Sequence, residues 1–128
     1  MRLSVIVPVF NEEQNILKLL IKIKSNISNE DEIIVVEDGS NDRTLDEIKK
    51  FDCKIIIHKK NIGKGKSLID GINFASGDII LFIDGDGQDD PSEIPKLING
   101  INKGYDFVIG SRFVEDEKKK ITRYTKTA

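Results

Sequence analysis

The stretch DIILFIDGDGQDDP, residues 78–91, decides how this chain is read. Asp78 to Ile83 is dominated by bulky apolar side chains and reads as a strand. That run stops at Asp84, and side-chain oxygens then crowd the turn at Asp84, Asp86, Gln88, Asp89 and Asp90. Gly85 and Gly87 between them let the backbone turn so that alternate side chains converge. Pro91 sits where the first turn of a helix tolerates a missing N–H. A strand therefore delivers an acid-rich turn to its carboxyl end, and a helix follows.

The same alternation recurs on both sides of this stretch. Leu3 to Val9 is a nearly unbroken β-branched run that predicts a first strand, with Pro8 at its end, where a missing donor costs least. From Asn11, read as a cap followed by Glu12 and Glu13, the apolar residues Ile16, Leu19, Leu20 and Ile23 recur at helical spacing. Glu32 to Val36 predicts a second strand ending in Glu37-Asp38-Gly39-Ser40, and Asn41 to Lys50 a helix. Lys54 to Ile57 predicts a third strand, and the loop Asn61 to Gly65 leads to a helix over Lys66 to Ala75 closed by Gly77. Beyond the acidic turn, Ile94, Leu97, Ile98 and Ile101 carry a helix to Gly104, and Tyr105 to Ile109 predicts a fifth strand. The order βαβαβαβαβ implies an α/β fold: an open, mostly parallel sheet with helices on both faces and ligands at the carboxyl ends of its strands.

At 128 residues, 38% of them hydrophobic, the chain fits one domain able to bury a core. A net charge of −2 with both signs interspersed gives no field that would gather nucleic acid, so any partner must be argued from local sites. The single cysteine, Cys53, precedes the apolar run Ile55 to Ile57 and reads as a buried, reduced thiol, which suits a cytoplasmic protein. Met1 to Phe10 lacks a small-residue cleavage site and reads as a strand rather than a signal peptide. No apolar run approaches the ~20 residues that a membrane-spanning helix needs. After Arg112 the periodicity dissolves, and residues 114–128 read as a charged, flexible tail. Its lysines, Lys118 to Lys126, are candidates for contact with anionic lipid, although solvation is the usual role of such a run.

The density of carboxylates at the end of the fourth strand is costly without a cation. Oxygen donors of this kind suit Mg²⁺ or Mn²⁺, which take one or two carboxylates and complete their shells with water and substrate phosphates. A calcium loop fails on spacing: with Asp84 as its first position, the sixth is Asp89 rather than glycine and the twelfth is Pro95 rather than glutamate. A lone Asp-Gly pair would read as a solvated turn, but the strand-end position favours a metal here, with Asp90 also placed to cap the helix at Pro91.

Gly63-Lys64-Gly65-Lys66-Ser67 ends like a P-loop, yet the glycine expected five residues before Gly65 is Lys60. Lys64 and Lys66 remain candidates to meet a phosphate or ribose, or else are solvated lysines at a helix start. Asp38 follows the second strand, where α/β nucleotide binders place an acid for a ribose or base; capping of the next helix by Asp38 and Ser40 is the alternative, and both roles can coexist. Pro8, Phe10 and Glu12 follow the first strand, so the Phe10 ring is a candidate to lie against a nucleobase and Glu12 to accept from a ribose or base. Arg112, in Gly110-Ser111-Arg112, is suited to a phosphate oxyanion, though alone it is most simply a surface arginine. His58, the only histidine, has no carboxylate or thiol near it in sequence and is assigned no role.

Four segments, in order, resemble family 2 glycosyltransferases of the GT-A type: Val7-Pro8-Val9-Phe10-Asn11-Glu12, Val36-Glu37-Asp38-Gly39-Ser40, Asn61-Ile62-Gly63-Lys64-Gly65 and Asp84-Gly85-Asp86-Gly87-Gln88-Asp89-Asp90-Pro91. The glutamine after the Asp-x-Asp pattern, the Asp-Pro ending and the later Gly-Ser-Arg are similar to dolichyl-phosphate mannose synthases and their bacterial polyprenyl-phosphate relatives. The resemblance runs from about Leu3 to Phe113 and implies a Rossmann-like nucleotide-sugar-binding domain over residues 1–113, shortened on the acceptor side. It implies that Pro8, Phe10, Glu12 and Asp38 hold the nucleoside, and Lys64, Asp84 and Asp86 are donor-binding candidates beside them. Asp84, Asp86 and Gln88 would hold Mg²⁺ or Mn²⁺ on the diphosphate. Asp86 and Arg112 would serve catalysis, with Arg112 on the acceptor phosphate.

The implied reaction is inverting transfer from GDP-mannose, or secondarily UDP-glucose, to a polyprenyl phosphate at the cytoplasmic face of a membrane. Peripheral membrane association and a second polypeptide supplying the acceptor side belong to the same expectation. A module that binds a nucleotide sugar without turnover is the alternative. A nucleotidyltransferase of similar architecture would carry a glycine-rich loop directly after its first strand, and Phe10-Asn11-Glu12-Glu13 is not one.

Overall fold

A computed structural model describes residues 2–102 together with 108–109. Five parallel strands, β1 (Leu3–Val9), β2 (Glu32–Asp38), β3 (Lys54–His58), β4 (Ile79–Phe82) and β5 (Val108–Ile109), form one sheet in the order β3-β2-β1-β4-β5. Between them run α1 (Ile16–Lys24), α2 (Thr44–Ile48), α3 (Lys64–Phe74) and, after a 3-10 turn at Pro91–Glu93, α4 (Ile94–Asn102). The doubly wound α/β architecture read from the sequence is the one observed.

Alternation along the strands sorts the core into two layers. Val5, Val7, Val35 and Leu81 face Ile16, Leu19, Leu20 and Ile23 of α1, Ile48 of α2, and Ile94 and Leu97 of α4. Ile6, Ile34, Val36 and Ile80 point to the opposite face, against Leu68 and Ile72 of α3. Side chains as thoroughly buried as Ile6, Ile16 and Ile34 each contribute roughly 1.5–3 kcal/mol relative to exposure. The continuous apolar reading of β1 and β2 is thus explained: both faces of each strand are covered.

Strand order reverses at β1, whose successors in the chain lie on one side of it while β4 lies on the other. At such a switch point the loops leaving the two neighbouring strands diverge and open a crevice, here between the ends of β1 and β4.

Several boundaries differ from the sequence reading, each for a tertiary reason. Asn11 does not cap α1; it adopts φ 53° and its side-chain oxygen accepts from the Asn41 amide, so the helix starts only at Ile16. Pro8 stands next to last in β1, at the strand end read from the sequence, opposite Val36. Its missing N–H faces the β4 side, where β4 has ended and the Gly85 amide donates to the Pro8 carbonyl at 3.0 Å instead. Helix α3 begins at Lys64, so Gly65 and Lys66 are helical and no P-loop forms. Gly77 caps nothing; α3 ends at Phe74 with Ala75 as its C-cap, and the Gly77 amide donates to Ser4 Oγ at 2.8 Å.

Cys53 is half-buried against the core, and burial together with Asp52 pushes its thiol up to about 11. Among the described residues no helix is long and apolar enough to cross a membrane. The start of the predicted fifth strand, Gly110-Ser111-Arg112, the boundary near Phe113 and the tail 114–128 lie outside the described residues.

Candidate functional site

A cleft of about 380 Å³ opens at the carboxyl end of the sheet, and it is lined by Pro8, Phe10, Glu12, Asp38, Lys64, Asp84 and Asp86. Seven residues singled out in the sequence are therefore brought together from four separate loops. Val9, Asn61, Gly63, Ser67 and Gly85 complete the lining. Phe10 is 40% exposed at this cleft.

The loops that carry these residues are fastened to one another. After β1, the Asn11 amide donates to Ser40 Oγ at 2.9 Å while Asn11 Oδ1 accepts from the Asn41 amide at 2.8 Å. The Glu12 amide donates to Thr44 Oγ1 at 2.8 Å, and Thr44 in turn donates its amide (2.9 Å) and hydroxyl (2.5 Å) to Asp42. Burial acts to raise the Asp42 pKa, but these donors hold it below the usual carboxylate range. Gly39, at φ +74°, lets the β2 loop pass the β3 loop: a Cβ there would fall 2.3 Å from the Lys60 carbonyl carbon.

Asp38 fastens the next loop. Its Oδ1 accepts from the Ile62 amide at 3.0 Å and its Oδ2 from the Gly63 amide at 2.9 Å. Neither Asp38 nor Ser40 caps α2, contrary to the alternative raised by the sequence; its N-cap is Arg43, the Thr44 amide is taken by Asp42, and Asp38 is spent on the residues just ahead of Lys64. His58 Nδ1 lies 2.7 Å from Asp38 Oδ1 and its Nε2 2.8 Å from Asp70 Oδ2. Burial works against a charged imidazole here, but the two carboxylates outweigh it and raise the His58 pKa. Burial likewise acts to raise Asp38, yet the Ile62 amide, His58 and the Gly63 amide together lower it.

On the far side of the cleft, the Gly85 amide is held by the Pro8 carbonyl, and a Cβ on Gly85 would fall 2.7 Å from Val9 Cγ2. Asp89, 4% exposed, accepts from the Asp84 amide at 3.0 Å. Asp86 Oδ1 accepts from the Gln88 amide at 3.0 Å. Asp90 caps the 3-10 turn by accepting from the Ser92 amide at 3.0 Å, as its position before Pro91 suggests, and that bond keeps its carboxyl below the usual range. Across the mouth, Lys64 Nζ meets Asp84 Oδ1 at 2.5 Å.

The donor set fits a hard divalent cation. Asp84 and Asp86 both line the cleft, whereas Gln88 is not among its lining residues. Among the described residues, no three His, Cys, Asp or Glu side chains converge into a closed cage. Two carboxylates beside open space are what Mg²⁺ or Mn²⁺ uses when phosphates supply further ligands. Arg112 lies outside the described residues.

Sequence reasoning missed His58, Asp70 and Asn61. The available signal was register: β3 pairs with β2 so that His58 stands opposite Asp38, which two adjacent parallel strand ends imply once their order is known. Asp70 is reached only because α3 packs back over that edge.

Known proteins resemble this chain in sequence and in fold. The chain is 39% identical to "Dolichol-phosphate mannosyltransferase" of Pyrococcus furiosus over 92% of its own length and 35% of that protein's. It is 37% identical to "Undecaprenyl-phosphate 4-deoxy-4-formamido-L-arabinose transferase" of Proteus mirabilis, over 87% of the chain and 36% of the relative. The chain thus spans about a third of the length of these relatives. Among solved structures, the mannosyltransferase PcManGT from Pyrobaculum calidifontis in complex with GDP-Man and Mn²⁺ superposes with a TM-score of 0.62 at 25% identity, over 66% of this chain and 27% of that one. The family model "Glycosyl transferase family 2" matches residues 4–128, nearly the whole chain, and the chain belongs to that family.

Proposed function

We propose that this chain forms the donor side of a metal-dependent, inverting glycosyltransferase that moves a sugar from a nucleotide sugar to a polyprenyl phosphate. The observation that carries the reading is the convergence of Glu12, Asp38, Asp84, Asp86 and Lys64 on one cleft at the switch point of the sheet. GDP-mannose is the first candidate donor and UDP-glucose the second; the names of the relatives, which pair polyprenyl phosphates with sugar transfer, support the acceptor class.

In this reading Phe10 lies against the base, and Glu12 and Asp38 accept from the base or ribose. Asp84 and Asp86 hold Mg²⁺ or Mn²⁺, Gln88 supporting them, and the metal supplies charge neutralisation for the diphosphate. Lys64, already beside Asp84, is placed to shift onto a phosphate oxygen. The acceptor oxygen attacks the anomeric carbon in line as the bond to the diphosphate breaks, and the bonding electron pair departs with the nucleoside diphosphate. A phosphate acceptor is largely ionised at neutral pH, so positioning matters more than a strong general base. That agrees with the use of Asp89 and Asp90 for bracing the turn. Arg112 is assigned to the acceptor phosphate, and the reaction to the cytoplasmic face of a membrane.

The test is transfer of labelled mannose from GDP-mannose, or glucose from UDP-glucose, to a short polyprenyl phosphate with Mn²⁺ or with EDTA. Metal-dependent glycolipid product is expected. Saturable donor binding without product would replace the reading with that of a binding module.

A further inference from the structure

His58 does not line the cleft, yet it is the most heavily engaged ring in its neighbourhood. Its side chain is 9% exposed, and its two nitrogens contact carboxylates on different elements, Asp38 at the end of β2 and Asp70 on α3. Only an imidazolium donates from both nitrogens; a neutral ring would turn a lone pair toward one carboxylate.

Asp38 gains a defined orientation from this contact. Its oxygens receive three donors, the Ile62 amide, the Gly63 amide and His58 Nδ1. A carboxylate accepts about four, so one direction remains, on Oδ2, in a residue that lines the cleft. The amides that Asp38 holds belong to the two residues preceding Lys64, whose ammonium reaches Asp84. A continuous series of contacts therefore runs from His58 through Asp38 and the Gly63 amide to the cation at the mouth of the cleft.

We propose that His58 is a positioning residue for donor binding: anchored on Asp70, it fixes the Asp38 carboxylate and, through it, the loop that presents Lys64. The inference rests on the donor-site reading above. The charged groups facing the ring are Asp38 from β2 and, from α3, Asp70 with its partner Lys66 at 3.2 Å. The raised pKa agrees with this geometry. Its sign gives the pH behaviour: the clamp is complete below the unfolded-state value of about 6.5 and is lost as pH rises through the higher folded-state value.

The experiment uses the 128-residue chain in two arms. Ring ¹⁵N NMR of the wild type reads His58 directly, with both nitrogens protonated at neutral pH and a midpoint above about 6.5 expected. Calorimetry with GDP-mannose and UDP-glucose in Mn²⁺ is run from about pH 6 to about pH 9 on wild type, His58→Gln and Asp70→Asn. His58→Gln should weaken donor binding about tenfold at neutral pH, the scale of one charge-assisted bond, and flatten its pH dependence. Asp70→Asn, a milder change at a more exposed carboxylate, should move the loss of affinity to lower pH, so the inference stays testable if His58→Gln does not fold.

A ring that is neutral at pH 7, or variants that bind with the wild-type affinity and pH profile, would overturn the positioning role while leaving the donor site intact. A wild type that binds neither nucleotide sugar, with the NMR arm as expected, would instead overturn the donor-site reading and with it this use of the clamp.

Discussion

The two ends of the sheet handle buried carboxylates in opposite ways. At the amino end, Glu32 is 6% exposed and is neutralised within the protein: Lys54 Nζ lies at 2.5 Å, Arg2 Nη2 at 3.6 Å, and Ser4 and Ser76 donate to it. Burial alone would raise its pKa, but these partners bring it to about 2. At the carboxyl end, the cleft is lined by four carboxylates, Glu12, Asp38, Asp84 and Asp86, and by one ammonium, Lys64. Much of the bracing there comes from backbone amides, which fix geometry without cancelling charge. The first end converts charge into stability; the second leaves its carboxylates lining an open cleft, where the proposed function would use them for a cation and the phosphates that follow.

Substitutions can break that contrast. The largest effect is expected for Gly39→Val, which puts a side chain into the Lys60 backbone at a left-handed φ. Overlap and strain together should cost about 3 kcal/mol or more of stability in chemical denaturation and disorder the cleft loops. Glu32→Gln should cost about 2–3 kcal/mol, because Lys54 and Arg2 lose their counter-charge, yet leave donor affinity in the folded protein unchanged.

The pH dependence of stability sharpens the same point. Since the folded pKa of Glu32 is depressed, its contribution is present above the unfolded value and is lost as pH falls from about 4.5 toward about 2. The share of the acid-induced loss that comes from Glu32 should be on the order of 3 kcal/mol, and Glu32→Gln should lose that much less stability than the wild type over the same window. Asn11→Ala removes the side-chain half of the clasp between the first two loops and puts alanine at φ 53°; about 1–2 kcal/mol is expected, with weaker donor binding. The smallest effect is Lys22→Ala, at an ion pair with Asp90 in which both partners are more than half exposed, at under about 0.5 kcal/mol.

The parts of the molecule legible in the sequence were those fixed by local pattern. Both faces of β1 and β2 are covered, so the centres of both had to read as apolar runs, and the acids at Asp38, Asp84 and Asp86 stood at or just beyond strand ends that could be located. The start of α1 was not legible because Asn11 has two competing uses, a cap or a clasp, and the partner that decides is Asn41, thirty residues away. His58 was set aside for lack of a nearby acid, although strand pairing brings Asp38 across twenty residues and helix packing brings Asp70 across twelve. Local pattern thus locates strand ends, while the contacts between neighbouring strand ends depend on an order that the sequence does not state.

The most direct test of the central claim is calorimetric titration of GDP-mannose and UDP-glucose into the chain with Mn²⁺, with EDTA, and with Mn²⁺ in Asp86→Ala. The account predicts saturable binding of one nucleotide sugar that needs the metal and is weakened at least about 100-fold by Asp86→Ala, a loss of roughly 2.7 kcal/mol, while the variant melts like the wild type. Binding of equal strength in EDTA, in Asp86→Ala, or in neither protein despite a cooperative melting transition would contradict it.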